Sequence, residues 1–474
     1  MSTESNTQAA GKPASAYSPA SYQPLTFHDV RQDFLEGKDT PSAYLERCLA
    51  VIAQREPTVR AWAVLNEAGA REQAQASSRR YQAGNPLSSI DGMPIGIKDL
   101  IETKDMPTQM GCEAFKGNFP KRDSALVRAL RDAGAIVLGK TVTTALGFLD
   151  PGPTTNPFDP LRTPGGSSSG SGAAVGAKMV PVAIGTQLVG SVLRPAGYCA
   201  NWAIKPTFGA LNRGERLGFS QSHIGVHAGA FIDMWNVAME IVQRAGGDPG
   251  HPGLSGTLAA PASTKPKRLI FMETEGWNRL DADSREVFNR LLARLRQEGV
   301  SIATRKDTPA VEDFEQSIAS ATALCLRLTA WEQRWSLENL VEQYPDALGP
   351  ALMDQLHIAR GQTLENYRAS LAERAAARDK QAALRETGEA FISLSSVGPA
   401  PFIEEANQTP FPTGDVAFAC VSSLLGAPAI TVPLLCVDGM PLGVQLMGQP
   451  NQDASLAGMA RWLAENAGGG RFFS

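Results

Sequence analysis

The sequence of 474 residues predicts an α/β fold in which helices cover both faces of a large mixed central sheet. Three observations predict this class. Amphipathic helical segments alternate with short apolar segments in the first half, strand-like segments return near the C-terminus, and a helix-rich stretch lies between these regions. Alternation of helices with apolar strands requires crossover connections, which place helices against a parallel or mixed sheet.

The first half of the sequence contains, in chain order, the first predicted strands of this sheet. Residues 92–99 have the pattern of a turn that leads into a short buried strand. Residues 124–133 form an amphipathic helical pattern that ends at Gly134, a typical cap, and residues 135–138 follow as an apolar strand. Residues 179–184 are predicted to form the next strand.

The second half predicts a helical insertion within a single domain. Residues 312–389 are rich in Ala, Leu, Arg and Glu, which is typical of helices, and we expect this insertion to lie near the substrate site. Three strand-like segments follow it, at 391–394, 428–433 and 443–448. We therefore expect one domain over residues 24–474. Residues 1–23 are rich in Ser, Ala, Pro and Gln and are expected to form a disordered tail.

The composition excludes several classes of function. The net charge is −4, which gives no electrostatic reason to expect a nucleic-acid partner or an acidic membrane surface. The six cysteines form no C-x-x-C pair, which argues against a zinc site or a disulfide framework and for a reducing compartment. No apolar run reaches the length of a membrane-spanning helix. We expect a soluble, cytoplasmic protein.

Lys98, Ser167 and Ser191 are the candidate catalytic residues. Ser167 lies in the tract Gly-Gly-Ser-Ser-Ser-Gly at 165–170, and Ser191 ends the segment Gly-Thr-Gln-Leu-Val-Gly-Ser. A serine hydroxyl is a poor nucleophile until a base removes its proton. A lysine can be that base when burial keeps it neutral, and a second hydroxyl can carry the proton between them.

This set of residues resembles the amidase signature family, serine hydrolases that cut carbon–nitrogen bonds in amides. The tract at 165–171 is similar to the family's serine–glycine tract, Lys98 falls in its lysine–aspartate motif, and Ser191 falls where its nucleophile lies. Further similar segments lie at 133–141, 204–209, 425–433 and 439–445. The resemblance implies the amidase-signature fold for most of the chain.

The resemblance also implies the roles of the site residues. Ser191 would attack the carbonyl carbon, Ser167 would relay protons beside a cis peptide, and Lys98 would be the base. The backbone N–H groups of Leu188, Val189, Gly190 and Ser191 would form the oxyanion hole. The chemistry requires no metal and no organic cofactor. The implied reaction is hydrolysis of a small-molecule amide, carbamate or urea-like compound, through an acyl-enzyme, to a carboxylate and an amine or ammonia.

The sequence leaves the substrate, homodimer formation and one alternative open. Before Ser191 the family usually has an aspartate, a threonine and a glycine, where this chain has Gln187, Leu188 and Val189. Arg194 stands three residues after Ser191, where many members place an arginine two residues after. These departures motivate the alternative of a non-catalytic or amidotransferase-type subunit that works in a complex.

Two other motifs are interpreted as structural. Residues 134–141 match the phosphate-loop pattern literally, but their centre is Ala-Ile-Val-Leu, which predicts a buried strand rather than a phosphate cradle. His223 and His227 have the spacing of a helical zinc pair. Gly225 between them and the lack of an obvious third ligand favour a structural role for both.

Overall fold

The computed structural model describes residues 17–214, 218–346 and 348–467, and its centre is one mixed sheet of eleven strands. The strands are β1 (Trp62–Leu65), β2 (Pro94–Lys98), β3 (Ile136–Thr141), β4 (Val182–Gln187), β5 (Trp202–Lys205), β6 (His223–Ala228), β7 (Arg268–Phe271), β8 (Ser301–Ala303), β9 (Ala390–Leu394), β10 (Ala429–Val437) and β11 (Met440–Met447). This architecture confirms the predicted fold class.

The strand order is β1-β3-β2-β4-β6-β5-β10-β11-β9-β7-β8. Strand β2 is parallel to both β3 and β4, whereas β6 is antiparallel to β4 and β5. At the other end β7 runs parallel to β8 and β9. Strands on both sides of the helix-rich stretch therefore belong to one sheet.

Helices cover this sheet and connect its strands. They are α1 (His28–Leu35), α2 (Pro41–Val59), α3 (Glu67–Gln82), α4 (Ala125–Asp132), α5 (Ser169–Gly176), α6 (Leu193–Tyr198), α7 (Phe231–Ala245), α8 (Ala282–Gln297), α9 (Pro309–Ser317), α10 (Ala321–Gln343), α11 (Pro350–Arg360), α12 (Leu364–Ala383), α13 (Ile403–Ala406), α14 (Cys420–Leu425) and α15 (Asp453–Ala467).

Strand β3 shows how both faces of the sheet are buried. Ile136 and Leu138 pack into an apolar cluster with residues of α2, α3 and α5. Val137, between them, belongs to a second cluster that contains residues of α4 and α7. Successive side chains of a strand point to opposite faces, so each face of the sheet has its own helical layer. A strand buried on both sides needs a continuous apolar run, which is the pattern that predicted it.

The predicted helical insertion at 312–389 consists of α9 to α12. Its last helix, α12, begins at Leu364, where Thr363 and Asn366 form a capping box. Leu324 and Leu328 of α10 pack into the same apolar cluster as Cys420 of α14, which joins the insertion to the body of the protein.

Most of the tail that we predicted to be disordered, residues 1–16 of 1–23, lies outside the described residues. Tyr17 and Tyr22, near its end, pack on Phe158 with ring centroids 6.0 and 5.0 Å away. Their hydroxyls donate hydrogen bonds to the carbonyls of Ala177 and Gly176, respectively. This final part of the segment is therefore in contact with the body of the protein.

Candidate active site

Lys98 is the last residue of β2, and its side chain is completely buried. Its Nζ lies 2.7 Å from Ser167 Oγ, 2.9 Å from Thr186 Oγ1 and 3.0 Å from Ser168 Oγ, all hydrogen-bond distances. Burial away from water holds the pKa of Lys98 well below its usual value. All three of these partners are uncharged hydroxyls, so none of them supplies a negative charge that would stabilise the ammonium form. The neutral amine is therefore favoured.

Ser167 lies in the loop that precedes α5, and the Gly166–Ser167 peptide is cis, as the resemblance implied. Gly165 has a φ of 82°, and a Cβ at this position would lie 2.9 Å from Cα of Pro195. Glycine is therefore required here by both its conformation and its surroundings. The loop packs directly on α6, and Ser167 itself is buried.

Ser191 lies in the turn between β4 and α6 and is buried. Gln187 organises this turn. Its Oε1 accepts hydrogen bonds from the N–H groups of Val192 and Leu193 at 2.9 and 3.0 Å, and its Nε2 donates to Ser423 Oγ at 3.0 Å. The residue that departs from the family pattern thus caps the helix after Ser191 without carrying a charge.

The N–H groups that were predicted to form an oxyanion hole have no acceptor within the described residues. They are the backbone N–H groups of Leu188, Val189, Gly190 and Ser191. They precede α6 in the chain, and donors without partners beside a helix N-terminus are suited to a developing negative charge.

The structure brings the three predicted residues into one region, but it joins only two of them through their side chains. Lys98 contacts Ser167 directly. Ser191 is linked to this pair through the backbone, where Ser168 N–H donates to the Ser191 carbonyl at 3.3 Å. Among the described residues, no hydrogen bond joins the hydroxyls of Ser167 and Ser191. Catalytic hydrogen bonds often tighten only when substrate binds.

Three functional neighbours of the site were not predicted from the sequence. Ser168 and Thr186 are hydroxyl partners of Lys98, and Arg194 donates to the carbonyl of Gly166 at 2.7 Å. Ser168 lies within the serine–glycine tract, so the tract itself contained a signal for it. Thr186 carried no comparable signal, because its contact with Lys98 depends on the parallel pairing of β2 with β4.

An apolar cavity of about 320 Å³ adjoins these residues. It is lined by Leu100, Met110, Phe115, Leu146, Gly147, Phe148, Leu188, Phe219, Gln333, Ser336, Leu337, Asn339, Leu340 and Gln343. Leu188 belongs to the turn before Ser191, and a Cβ on Gly147 would lie 3.7 Å from Ser167 Oγ. Helix α10 of the insertion supplies one wall of this cavity.

The structure also places the two motifs that were interpreted as structural. Lys140, the lysine of the phosphate-loop pattern, is buried in β3, where its Nζ lies 3.1 Å from Asp99 Oδ1. His223 and His227 are buried on β6, and burial holds the pKa of both imidazoles below the usual value. The described chain contains no group of three or more residues of the kinds that hold metals, namely His, Cys, Asp and Glu.

No helix in the described ranges combines the length and the apolar character that crossing a bilayer requires.

The candidate site has a buried lysine in contact with a serine, and backbone N–H groups for which the described residues supply no acceptor. Such groups can activate a hydroxyl and stabilise an oxyanion, which are the two requirements of acyl transfer.

Comparison with known proteins identifies the family. The Amidase family model matches residues 43–457. The A subunit of a glutamyl-tRNA(Gln) amidotransferase from Chloroflexus aurantiacus is 30% identical over 466 residues, which cover 91% of this chain and 94% of the relative. The corresponding protein of Chloroflexus aggregans is 28% identical over 469 residues, with the same shares covered.

Solved structures agree with this result. A crystal structure of an amidase superposes with a TM-score of 0.80 at 25% identity, and the match covers 93% of this chain and 99% of that one. The peptide amidase of Stenotrophomonas maltophilia has the same fold, with a TM-score of 0.77 at 24% identity, over 94% of this chain and 97% of its own. The chain belongs to the amidase family. It is an amidase-type enzyme.

Proposed function

We propose that this protein hydrolyses the carbon–nitrogen bond of a small-molecule amide, carbamate or urea-like compound. In this proposal Ser191 is the nucleophile, Ser167 relays protons and Lys98 is the base. The observation that carries it is the 2.7 Å contact between Ser167 Oγ and a completely buried Lys98 Nζ, whose pKa burial holds well below the usual value. Only a neutral lysine can accept a proton.

The first half of the reaction forms an acyl-enzyme. Ser191 Oγ attacks the carbonyl carbon while its proton passes to Ser167 and the proton of Ser167 passes to Lys98. The N–H groups of residues 188–191 stabilise the oxyanion. Lys98 then returns a proton through Ser167 to the leaving nitrogen, the carbon–nitrogen bond breaks, and the amine or ammonia departs.

The second half releases the acid. A water molecule loses its proton to the same relay and attacks the acyl carbon, and the bond to Ser191 Oγ breaks with return of the proton to that oxygen. The product is a carboxylate. The relay requires the hydroxyls of Ser191 and Ser167 to come within hydrogen-bond distance of each other when substrate binds.

A second candidate is an amidotransferase-type or non-catalytic subunit that works with partner proteins. The match to the A subunits of glutamyl-tRNA(Gln) amidotransferases over more than nine-tenths of the chain favours it. The neutral Gln187, in place of the acidic residue typical of such subunits, favours an independent hydrolase instead. All six cysteines are free thiols, which supports a cytoplasmic location for either candidate.

The test uses the purified chain alone. A panel of amides, carbamates and esters is incubated with it, products are read by mass spectrometry, and a fluorophosphonate probe is mapped to its labelled peptide. We expect turnover of at least one amide and labelling at Ser191. Both should disappear in Ser191→Ala and persist in Ser169→Ala, which removes a hydroxyl bonded to the Val142 carbonyl instead. Absence of both in the wild-type chain would favour the partner-dependent candidate.

A further inference from the structure

The residues that line the 320 Å³ cavity beside Ser167 indicate which class of amide fits the site, provided that the proposed hydrolysis is correct. Lys98, Ser167 and Ser191 do not line it, but two of its lining residues, Leu188 and Gly147, lie next to the proposed reacting groups. Leu188 carries one of the proposed oxyanion donors, and a Cβ on Gly147 would lie 3.7 Å from Ser167 Oγ. The cavity is therefore our candidate for the space that the acyl group of a bound amide would occupy.

The described residues that line the cavity are all uncharged. Most are aliphatic or aromatic, namely Leu100, Met110, Phe115, Leu146, Phe148, Leu188, Phe219, Leu337 and Leu340. The polar ones come from α10 and offer only amide or hydroxyl groups, at Gln333, Ser336, Asn339 and Gln343. Gln333 Nε2 has no hydrogen-bond partner within the described residues, so this wall contains an unused neutral donor.

We propose that the site accepts amides whose acyl group is uncharged and largely apolar, such as arylacetamides and medium-chain aliphatic amides, and discriminates against amino-acid amides such as glutamine. The α-ammonium and α-carboxylate groups of glutamine would each lose water without gaining an opposite charge from the described lining. An unpaired charge in an apolar pocket is strongly disfavoured, whereas an alkyl or aryl group gains from burial.

The volume of the cavity limits the size of the acyl group that it can hold. A dry apolar cavity of roughly 150 Å³ accommodates benzene. The volume here is about 320 Å³, so it has room for an aromatic ring with a linker, or for a chain of several methylenes. Acetamide would leave most of it empty.

The first experiment measures kcat/KM of the purified chain for acetamide, hexanamide, phenylacetamide, succinamate and L-glutamine. We expect hexanamide and phenylacetamide to exceed acetamide by roughly ten- to a hundredfold, because each buried methylene contributes to binding. We expect succinamate and glutamine to be at least about a hundredfold poorer than hexanamide.

A pair of matched variants then tests whether this cavity is responsible. Phe115 lines it, whereas Phe119 is in the same loop, is 44% exposed and does not line it. We expect Phe115→Ala to lower kcat/KM for hexanamide about tenfold, mainly through KM, and to lower it for hexanamide more than for acetamide. Phe119→Ala should leave both substrates unchanged.

The outcomes separate this inference from the proposed function. If acetamide is hydrolysed but glutamine or succinamate is turned over as well as hexanamide, hydrolysis stands and the apolar-substrate inference is overturned. Equal effects of Phe115→Ala and Phe119→Ala would also overturn it. If no amide is hydrolysed and Ser191 is not labelled, the proposed function fails, and this inference fails with it.

Discussion

Arg194 Nη2 donates a hydrogen bond to the carbonyl oxygen of Gly166 at 2.7 Å, which ties the helix after Ser191 to the peptide before Ser167. The guanidinium is buried and makes two further bonds to Thr413, from Nε to its carbonyl and from Nη2 to its hydroxyl, each at 2.9 Å. Three neutral acceptors thus hold one buried cation. The contact keeps the two proposed serines in a fixed relation.

Arg194→Lys should weaken this connection although it keeps the charge. An ammonium cannot reproduce the planar fork, so acceptors at Gly166 and Thr413 would be left without donors inside the protein. We expect the free energy of unfolding to fall by about 2 kcal/mol and kcat to fall about tenfold with little change in KM. Urea unfolding and steady-state kinetics measure the two effects.

Arg47→Lys is the control for this substitution. Arg47 also pairs through two nitrogens, with Asp39, but its side chain is 53% exposed. Water replaces lost contacts there, so we expect a change in stability within about 0.5 kcal/mol. Equal stability of Arg194→Lys and the wild type would show that the buried fork contributes nothing.

The lowered pKa of Lys98 predicts how the reaction rate depends on pH. Burial lowers its pKa, so the neutral base forms at a pH at which a free lysine is still charged. The rate should therefore rise with pH through this lowered pKa and then level off. Lys98→Ala should remove the rising limb and lower kcat by about 10²- to 10⁴-fold. A pH–rate profile for both proteins measures this.

Lys205 provides a matched control, because it is a second completely buried lysine whose pKa burial lowers, to about 7. Its Nζ donates to the carbonyls of Pro206, Ser422 and Ala427, and not to any serine hydroxyl within the described residues. Folded Lys205→Met should keep the rising limb. Loss of the limb in this variant but not in Lys98→Ala would contradict the assignment of the base.

Substitutions of Gln187 can separate the effect of its helix-capping hydrogen bonds from the effect of a charge at this position. Gln187→Ala leaves the N–H groups of Val192 and Leu193 without their acceptor, so we expect a loss of about 1–2 kcal/mol in the free energy of unfolding and a lower kcat. Gln187→Glu retains an acceptor oxygen and should stay closer to the wild type in both measurements. If Gln187→Ala and Gln187→Glu lose the same stability, the cap is not what Gln187 contributes.

Much of the fold was predictable because the central strands are buried on both faces. β2 and β3 are short apolar runs next to glycines, and both lie close to their predicted positions. The prediction at 179–184 was displaced, since β4 spans Val182–Gln187. The end of β4 includes two polar residues, Thr186 and Gln187, which are buried because they form hydrogen bonds with Lys98 and Ser423, respectively. A search for apolar runs cannot find strand residues of this kind.

The site was predictable to a smaller extent. Lys98, Ser167 and Ser191 came from the resemblance, whereas the contacts of Arg194 with Gly166 and Thr413 could not have been deduced. Such contacts join segments that are distant in sequence, and their geometry depends on how the helices pack. The cavity presents the same difficulty, since its lining comes from several loops and from α10.

Glu315, outside the site, gives a pH prediction for stability. It is 2% exposed, and burial raises its pKa to about 7, although its carboxylate accepts hydrogen bonds from the N–H groups of Glu273 and Thr274. Between the unfolded value of 4.5 and about 7, the folded protein binds more protons at this residue than the unfolded chain does. The contribution of Glu315 to stability is therefore fully present below about pH 4.5 and falls as the pH rises to about 7.

Glu315→Gln should remove this dependence, because an amide does not titrate. We expect the free energy of unfolding of the variant, relative to the wild type, to increase by about 3 kcal/mol between pH 4.5 and 7 and to stay constant above that range. Urea unfolding at several pH values measures the difference. Glu312→Gln is the control, since a hydrogen bond from Arg305 lowers the pKa of this half-exposed carboxyl to about 2, so that it is charged in the folded protein throughout this interval and its difference from the wild type should change little. If the difference in the free energy of unfolding between Glu315→Gln and the wild type did not change with pH, the Glu315 carboxyl would be charged over the whole interval despite its burial.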